Sequence, residues 1–358
     1  MGLEREKAVL ALASGLVFHG EGVGAFGSVV GELVFNTAMT GFQEALTDPS
    51  YAGQVLVFSY PLVGNYGFGS AGESDGVKAA GAVVTEASGF FSHRDSRKTL
   101  DEFLRENSTP CIAGIDTRLL VKRIREGGVS SCALQVGGSI DEEELVARAK
   151  AFNYSSIDFV EKVSGRETKV MTPENAVKRV AVVDCGCKQS IVRELLKRRC
   201  EVALVSAYSG AREILSLEPD GVLFSNGPGD PKVMTKTVAC CRELLEYDLP
   251  IFGVCLGHQV LAHALGGQTE KLKFGHHGAN HAVTDVINRR TIITSQNHGF
   301  TVSQIPRGCR QWFVNQVDGT NEGLKHDDLP AMSVQFHPEA GPGPWDARYL
   351  FDEFVKKL

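Results

Sequence analysis

A chain of 358 residues and 38.6 kDa, 43% hydrophobic and 22% charged, is long enough for two cores and has the composition of an ordinary soluble globular protein. Its formal charge of -6, without any basic run, argues against a nucleic-acid or anionic-membrane partner, and no stretch approaches membrane-spanning length. Nine cysteines, an odd number scattered along the chain, do not suggest a disulfide framework, so a reduced, cytoplasmic protein is expected.

The apolar run at residues 8–12, behind Glu4-Arg5-Glu6-Lys7, is too short for a signal segment and reads as a first strand. Further β-like runs follow at 16–19, 28–35 and 54–59, separated by Gly-rich turns. Gly22-Val23-Gly24-Ala25-Phe26-Gly27 matches a dinucleotide fingerprint by letters, but a strand rather than a helix follows it, so it is read as a hairpin loop. Residues 35–51 and 59–67 are dense in polar and aromatic groups around Gly, Pro and Asn. They are either a structured loop packed on its own domain or a surface that meets a partner. A strand is expected at 79–87. Helices are predicted at 99–106, with Leu100, Phe103 and Leu104 inward, at 119–126 behind a cap at Asp116 or Thr117, and at 141–152. The domain plan is a smaller mixed β/α domain at 1–150, a linker at 151–178 and a second domain at 179–358.

From Arg179 strands and helices alternate, which predicts an α/β domain: an open, mostly parallel sheet with helices on both faces. Its third strand, 221–224, ends in Ser225-Asn226-Gly227-Pro228-Gly229-Asp230-Pro231, and ligands of such sheets bind beyond the carboxyl ends of the strands. The next strand runs through Ile251-Phe252-Gly253-Val254 into Cys255-Leu256-Gly257-His258-Gln259 and a helix. Cys255 therefore sits at a sharp strand-to-helix turn, a nucleophile elbow carrying sulfur. Gly253 and Gly257 relieve crowding there, and the helix N-terminus favours negative charge on the sulfur. The plain alternative is a buried cysteine before a core helix. Cys185-Gly186-Cys187 and Cys240-Cys241 lack zinc-ligand spacing, and no metal is expected.

A thiolate nucleophile needs a base and a group that holds the base. The strand-like run Met332-Ser333-Val334-Gln335-Phe336 ends in His337-Pro338-Glu339, and residues i and i+2 of an extended chain face one side, so Glu339 can orient His337. His258 and His298 are rival bases. The N–H of Leu256 and one from the Gly227–Gly229 loop are natural oxyanion donors, each worth roughly 3–4 kcal/mol.

Gly-Val-Cys-Leu-Gly-His-Gln, Ser-Asn-Gly-Pro-Gly-Asp-Pro and Phe-His-Pro-Glu together resemble the class I glutamine amidotransferases. Residues 35–51, 60–67 and 114–118, with Lys273-Phe274-Gly275-His276-His277-Gly278 and Ser295-Gln296-Asn297-His298-Gly299-Phe300, resemble the small chains of carbamoyl-phosphate synthase. Departures from the usual letters fall at Ala279, Ala282 and the Asp184-Cys185-Gly186-Cys187 turn. The resemblance implies Cys255 as nucleophile, His337 as base and then acid, and Glu339 as its orienter. It implies that L-glutamine is held by Ser50, Gly227, Gly229, Leu256, Gln259, Asn297, Gly299 and Phe300. It further implies a γ-glutamyl thioester and ammonia passed to a carbamoyl-phosphate synthase large chain, whose product feeds arginine and pyrimidine synthesis. No cofactor is expected in this chain; ATP and Mg belong to the partner, consistent with the absence here of a G-x-x-x-x-G-K-[ST] loop. Two other readings stay open: a stand-alone thiol hydrolase (γ-glutamyl hydrolase or peptidase) and a non-catalytic regulatory subunit.

Overall fold

The computed structural model describes residues 6–70 and 72–358, and the chain divides into two units, Met1–Ile157 and Asp158–Leu358. Glu4 and Arg5 of the charged lead-in lie outside the described residues. The unit boundary falls within 151–178, a stretch that carries short ordered elements.

The first unit contains β1 (Lys7–Leu12), β2 (Val17–Gly24), β3 (Gly27–Asn36), α1 (Phe42–Thr47), β4 (Gln54–Phe58), β5 (Leu62–Val63), β6 (Gly81–Val83), β7 (Glu86–Ala87), α2 (Leu100–Glu106), β8 (Pro110–Ala113), α3 (Thr117–Gly127), β9 (Ser130–Val136) and α4 (Glu142–Ala151). Strands β1-β2-β8-β6-β4-β3-β9 close into a barrel, while β5 and β7 form a separate ribbon. The run in β1 is apolar at almost every position because it is covered on both sides. Val9 and Ala11 pack under Leu145 and Ala149 of α4, and the residues between them face the other way. Thr99 and Glu102 form a capping box on α2, and Asp116, not Thr117, caps α3 by accepting from Leu119 N. Two expectations are corrected. The Gly22–Gly27 segment is not a hairpin, since β2 pairs with β1 and β8 whereas β3 pairs with β4 and β9. The strand expected at 79–87 is split into β6 and β7, which belong to different sheets. Residues 35–51 pack on their own unit: Phe42 stacks on Tyr66 at 5.3 Å, and the Tyr66 hydroxyl accepts from the amides of Gly41 and Phe42.

The second unit contains α5 (Val160–Val163), β10 (Lys169–Met171), β11 (Lys178–Asp184), α6 (Gln189–Lys197), β12 (Cys200–Ser206), α7 (Ala211–Leu215), β13 (Gly221–Phe224), α8 (Thr235–Leu244), β14 (Ile251–Val254), α9 (Leu256–Ala264), β15 (Gln268–Asp285), β16 (Arg290–Gln304), β17 (Cys309–Asn315), β18 (Asn321–His326), β19 (Ala331–Val334) and α10 (Tyr349–Val355). Its ten-stranded sheet has the order β10-β12-β11-β13-β14-β19-β18-β17-β15-β16. Alternate strand residues feed two cores. Val180, Val182, Phe252 and Val334 meet Ile191 and Leu195 of α6 and Phe351 and Phe354 of α10. Ala181, Val183, Val222 and Ile251 meet Ile214 of α7, Leu244 of α8 and Val260 of α9. Helices therefore cover both faces of an α/β sheet. The expectation of a mostly parallel sheet is corrected to a mixed one. Pairing is parallel along β12-β11-β13-β14-β19 but antiparallel from β19 through β18, β17, β15 and β16. The physical reason is local turn chemistry. Asp318-Gly319, with Gly319 at φ 73°, joins β17 to β18, and Asn288-Arg289, with Arg289 at φ 55°, joins β15 to β16. Among the described residues, no helix is long and apolar enough to cross a membrane.

Candidate active site

The parallel strands set the site. β14 ends at Val254 and α9 begins at Leu256, so Cys255 alone makes the turn, at φ 53° and ψ -104°. Such a backbone is strained for a residue with a Cβ and persists only where the surroundings fix it. They do so here: Cys255 N donates to Val334 O on β19 at 2.9 Å, and Gly257 N to Ser225 O at 3.0 Å. The glycines are required by closeness. A Cβ on Gly257 would lie 2.0 Å from Phe224 O, and one on Gly253 would lie 2.5 Å from Gly257 O.

The turn leaves Cys255 2% exposed, with Sγ 3.6 Å from Asn297 O. His337 reaches the same place from beyond β19, where its amide donates to Ser295 O at 2.9 Å. Its Nδ1 lies 2.6 Å from Glu339 Oε1. A carboxylate accepts, so Nδ1 carries the hydrogen and Nε2 is left for the sulfur. Burial disfavours the imidazolium, yet the Glu339 carboxylate and the neighbouring Cys255 sulfur outweigh burial and raise His337 above its ordinary value. Sulfur and imidazole thus act on each other electrostatically, whereas the rival bases are held elsewhere. His258 Nδ1 pairs with Ser333 Oγ at 2.9 Å, and His298 lies against Phe300 O and Gln296 Oε1.

One group escaped the reading of motifs. Lys188, 3% exposed, places Nζ 3.1 Å from Glu339 Oε1 and donates to Ala340 O at 2.5 Å. Its amide donates to Asn226 Oδ1 at 3.0 Å, which ties the loop after β13 to the same ion pair. Burial alone would raise the Glu339 carboxyl, but Lys188 and His337 hold it below the usual carboxylate range. A buried carboxylate paired with a lysine stays charged, and a charged carboxylate keeps the imidazole in one tautomer and one orientation.

The remaining predicted residues sort by what they touch. Of the first amides of α9, Gly257 N is engaged with Ser225 O, while those of His258 and Gln259 donate back to Cys255 O. Leu256 N is the first amide of α9 and follows Cys255 directly in the chain, a position from which a helix amide can serve as an oxyanion donor. Gly227 lies so close to Cys185 O that a Cβ would approach to 2.0 Å, and Gly229 has φ 96°. Gln259 Nε2 donates to Phe300 O and to Gln335 Oε1, each at 3.0 Å, so that nitrogen braces β16 against α9. Asn297 offers its carbonyl to Cys255 and has Oδ1 3.0 Å from His277 Nδ1, and Gly299 has open space where a Cβ would stand. Ser50 belongs to the first unit, on the 3-10 turn Pro49–Tyr51, with its amide donating to Asp48 Oδ1 at 2.9 Å.

Buried neutral histidines make this unit acid-sensitive. Burial pushes His258 and His277 down to about 3, with the Asn321 and Asn297 side chains opposing it weakly. Unfolded, both rings bind protons near their ordinary value of about 6.5. Their stabilisation is therefore full above that pH and is lost as pH falls from about 6.5 towards 3. At pH 5 the expected loss is about 2 kcal/mol for each ring. Denaturant unfolding at pH 7 and pH 5, followed by the fluorescence of Trp312 and Trp345, both in this unit, should show it. Equal unfolding free energies at the two pH values would contradict it.

A strained cysteine at the carboxyl ends of the parallel strands and a histidine held by a carboxylate are the groups that thiol-dependent acyl transfer requires. The model of the class-I glutamine amidotransferases matches residues 181–357, so the second unit has the fold of that class. The model of the carbamoyl-phosphate synthase small chain, CPSase domain, matches residues 10–134. The chain is 47% identical over 357 residues to the carbamoyl phosphate synthase small chain of Methanopyrus kandleri, covering 98% of each. It is 46% identical to those of Methanocaldococcus jannaschii (98% of each covered) and Listeria monocytogenes (98% of this chain, 97% of the relative). The chain belongs to the carbamoyl-phosphate synthase small chain family.

Proposed function

We propose that this chain is the glutamine-hydrolysing subunit of a carbamoyl-phosphate synthase, with Cys255, His337 and Glu339 as its catalytic triad. The observation that carries the reading is the pairing of Cys255, fixed in a strained turn, with an imidazole oriented by a carboxylate that a buried lysine keeps charged.

The geometry supports the following steps. Cys255 gives its proton to His337 Nε2, and the sulfur attacks the γ-carboxamide carbon of glutamine. The carbonyl oxygen becomes an oxyanion facing the Leu256 amide and a donor from the Gly227–Gly229 loop. His337 then protonates the leaving nitrogen, the C–N bond breaks, and ammonia departs from a γ-glutamyl thioester. His337 next takes a proton from water, whose oxygen attacks the thioester carbon. Glutamate leaves and the sulfur recovers its proton. Glu339 stays ionised throughout and keeps the ring turned.

Ammonia passes to a separate large chain, which joins it to bicarbonate with ATP and Mg to make carbamoyl phosphate. This chain contributes no cofactor of its own to that ligase reaction. The experiment is to assay carbamoyl phosphate formation from glutamine with both chains together and with each alone. Synthesis only in the mixture is expected; full glutamine turnover by this chain unaffected by the large chain would favour a stand-alone hydrolase.

A further inference from the structure

Behind the segment that carries Asn297, the second unit holds a polar cluster that the triad does not use. His276 on β15, His298 on β16 and Glu322 on β18 are buried, and each turns a donor atom into one space, all within 4.8 Å of one another. Glu322 Oε1 lies 3.4 Å from His276 Nδ1 and 4.0 Å from His298 Nε2.

The far side of each ring fixes what the near side presents. His276 Nε2 donates to Asp318 Oδ2 and His298 Nδ1 to Phe300 O, both at 2.7 Å. Neither a carboxylate nor a carbonyl has a hydrogen to give, so in the neutral rings the near nitrogens carry lone pairs. His298 Nε2 faces Gln296 Oε1 at 2.9 Å, and the amide nitrogen of Gln296 is engaged with Glu322 Oε2 at 3.0 Å and Thr294 Oγ1 at 3.1 Å. His276 Nδ1 has only a long contact, 3.5 Å, from Asn315 Nδ2, an amide nitrogen that also donates to Glu322 Oε1 at 2.9 Å. Apart from that one long donor, acceptors face acceptors in this buried space, at 2.9 Å between His298 Nε2 and Gln296 Oε1 and at 3.4 and 4.0 Å from Glu322 Oε1 to the two rings, an arrangement that is unfavourable unless positive charge lies between them.

The surrounding bonds have the form that supports a metal. Ligating histidines donate their other N–H to a carboxylate or a backbone carbonyl, and ligating carboxylates are held by further hydrogen bonds. Both conditions are met. Separations of 3.4 and 4.0 Å between donors also suit bonds of about 2.0–2.2 Å to one central ion. We propose that His276, His298 and Glu322 form a binding site for a divalent transition metal, a two-histidine, one-carboxylate set suited to zinc, that ties β15, β16 and β18 together behind the proposed catalytic cysteine. No spacing in the sequence reveals it, because the three donors come from three strands.

The test uses the full-length chain and its Cys255→Ser variant, which removes the proposed nucleophile's thiol as a competing ligand. Both are stripped with chelator and titrated with Zn²⁺, then with Co²⁺ as a spectroscopic probe. The proposal predicts one ion per chain in each, a raised Tm, and a Co²⁺ spectrum with ligand-field bands but no thiolate charge-transfer band. Glu322→Gln should abolish the binding. If that variant does not fold, Asp318→Asn, which changes only the group orienting His276, should weaken binding about 10–100-fold. Absence of Zn²⁺ binding in the unmodified chain, which would mean that protons alone fill the space, overturns the proposal. So do binding that survives Glu322→Gln, unchanged affinity in Asp318→Asn, and binding lost in Cys255→Ser.

Discussion

Cys255→Ser is expected to lower glutamine-dependent carbamoyl phosphate synthesis by about 10⁴-fold or more, the scale of removing a nucleophile from a triad, and to leave synthesis from free ammonia intact. The loss is chemical rather than structural. Serine occupies nearly the volume of cysteine, and the turn at φ 53° is held by backbone bonds to Val334 and Ser225 that the substitution does not touch. The hydroxyl, however, gives up its proton far less readily than a thiol. Glutamine and ammonia assays on the assembled complex, with a thermal melt to verify folding, separate the two cases. Equal loss with both nitrogen sources would point to a damaged assembly, and retained glutamine use would remove Cys255 from the reaction.

His337→Asn should cause a loss of similar size, with ammonia-dependent synthesis again retained. The asparagine keeps the backbone bond to Ser295 and can still donate to Glu339, but it offers no group that accepts the sulfur's proton. A nucleophile and base that act as one unit lose their effect together, so under the proposed mechanism the Cys255→Ser, His337→Asn double variant should be no slower than the worse single variant. Multiplying losses in steady-state rates would show that the two residues work independently, contrary to the geometry.

Much of the second unit was legible because each local signal had one physical cause. A strand meeting a helix through Gly-Val-Cys-Leu-Gly has few ways to fold, and Glu339 two residues after His337 does pair with it at 2.6 Å. In the first unit, the helix after Asp116-Thr117 was legible from a side-chain cap, although the letters left open which of the two supplies it. The antiparallel half of the sheet was not legible from strand–helix alternation, since it depends on hairpin turns at Asp318-Gly319 and Asn288-Arg289. Closure of the barrel was also hidden, because the partners of β2 and β3 are set by tertiary register and not by adjacency. Lys188 was missed for a related reason. A lysine opening a helix usually reads as solvated, and only the fold brings its ammonium to the carboxylate behind His337.

The most direct measurement of the central claim is capture of the covalent intermediate. The complex is mixed with glutamine, quenched in acid during turnover, and digested for mass spectrometry. A γ-glutamyl group on the peptide containing Cys255, absent from Cys255→Ser, is the predicted result. Glutamate released at the full rate with Cys255 unmodified, or the adduct found on another side chain, would contradict it.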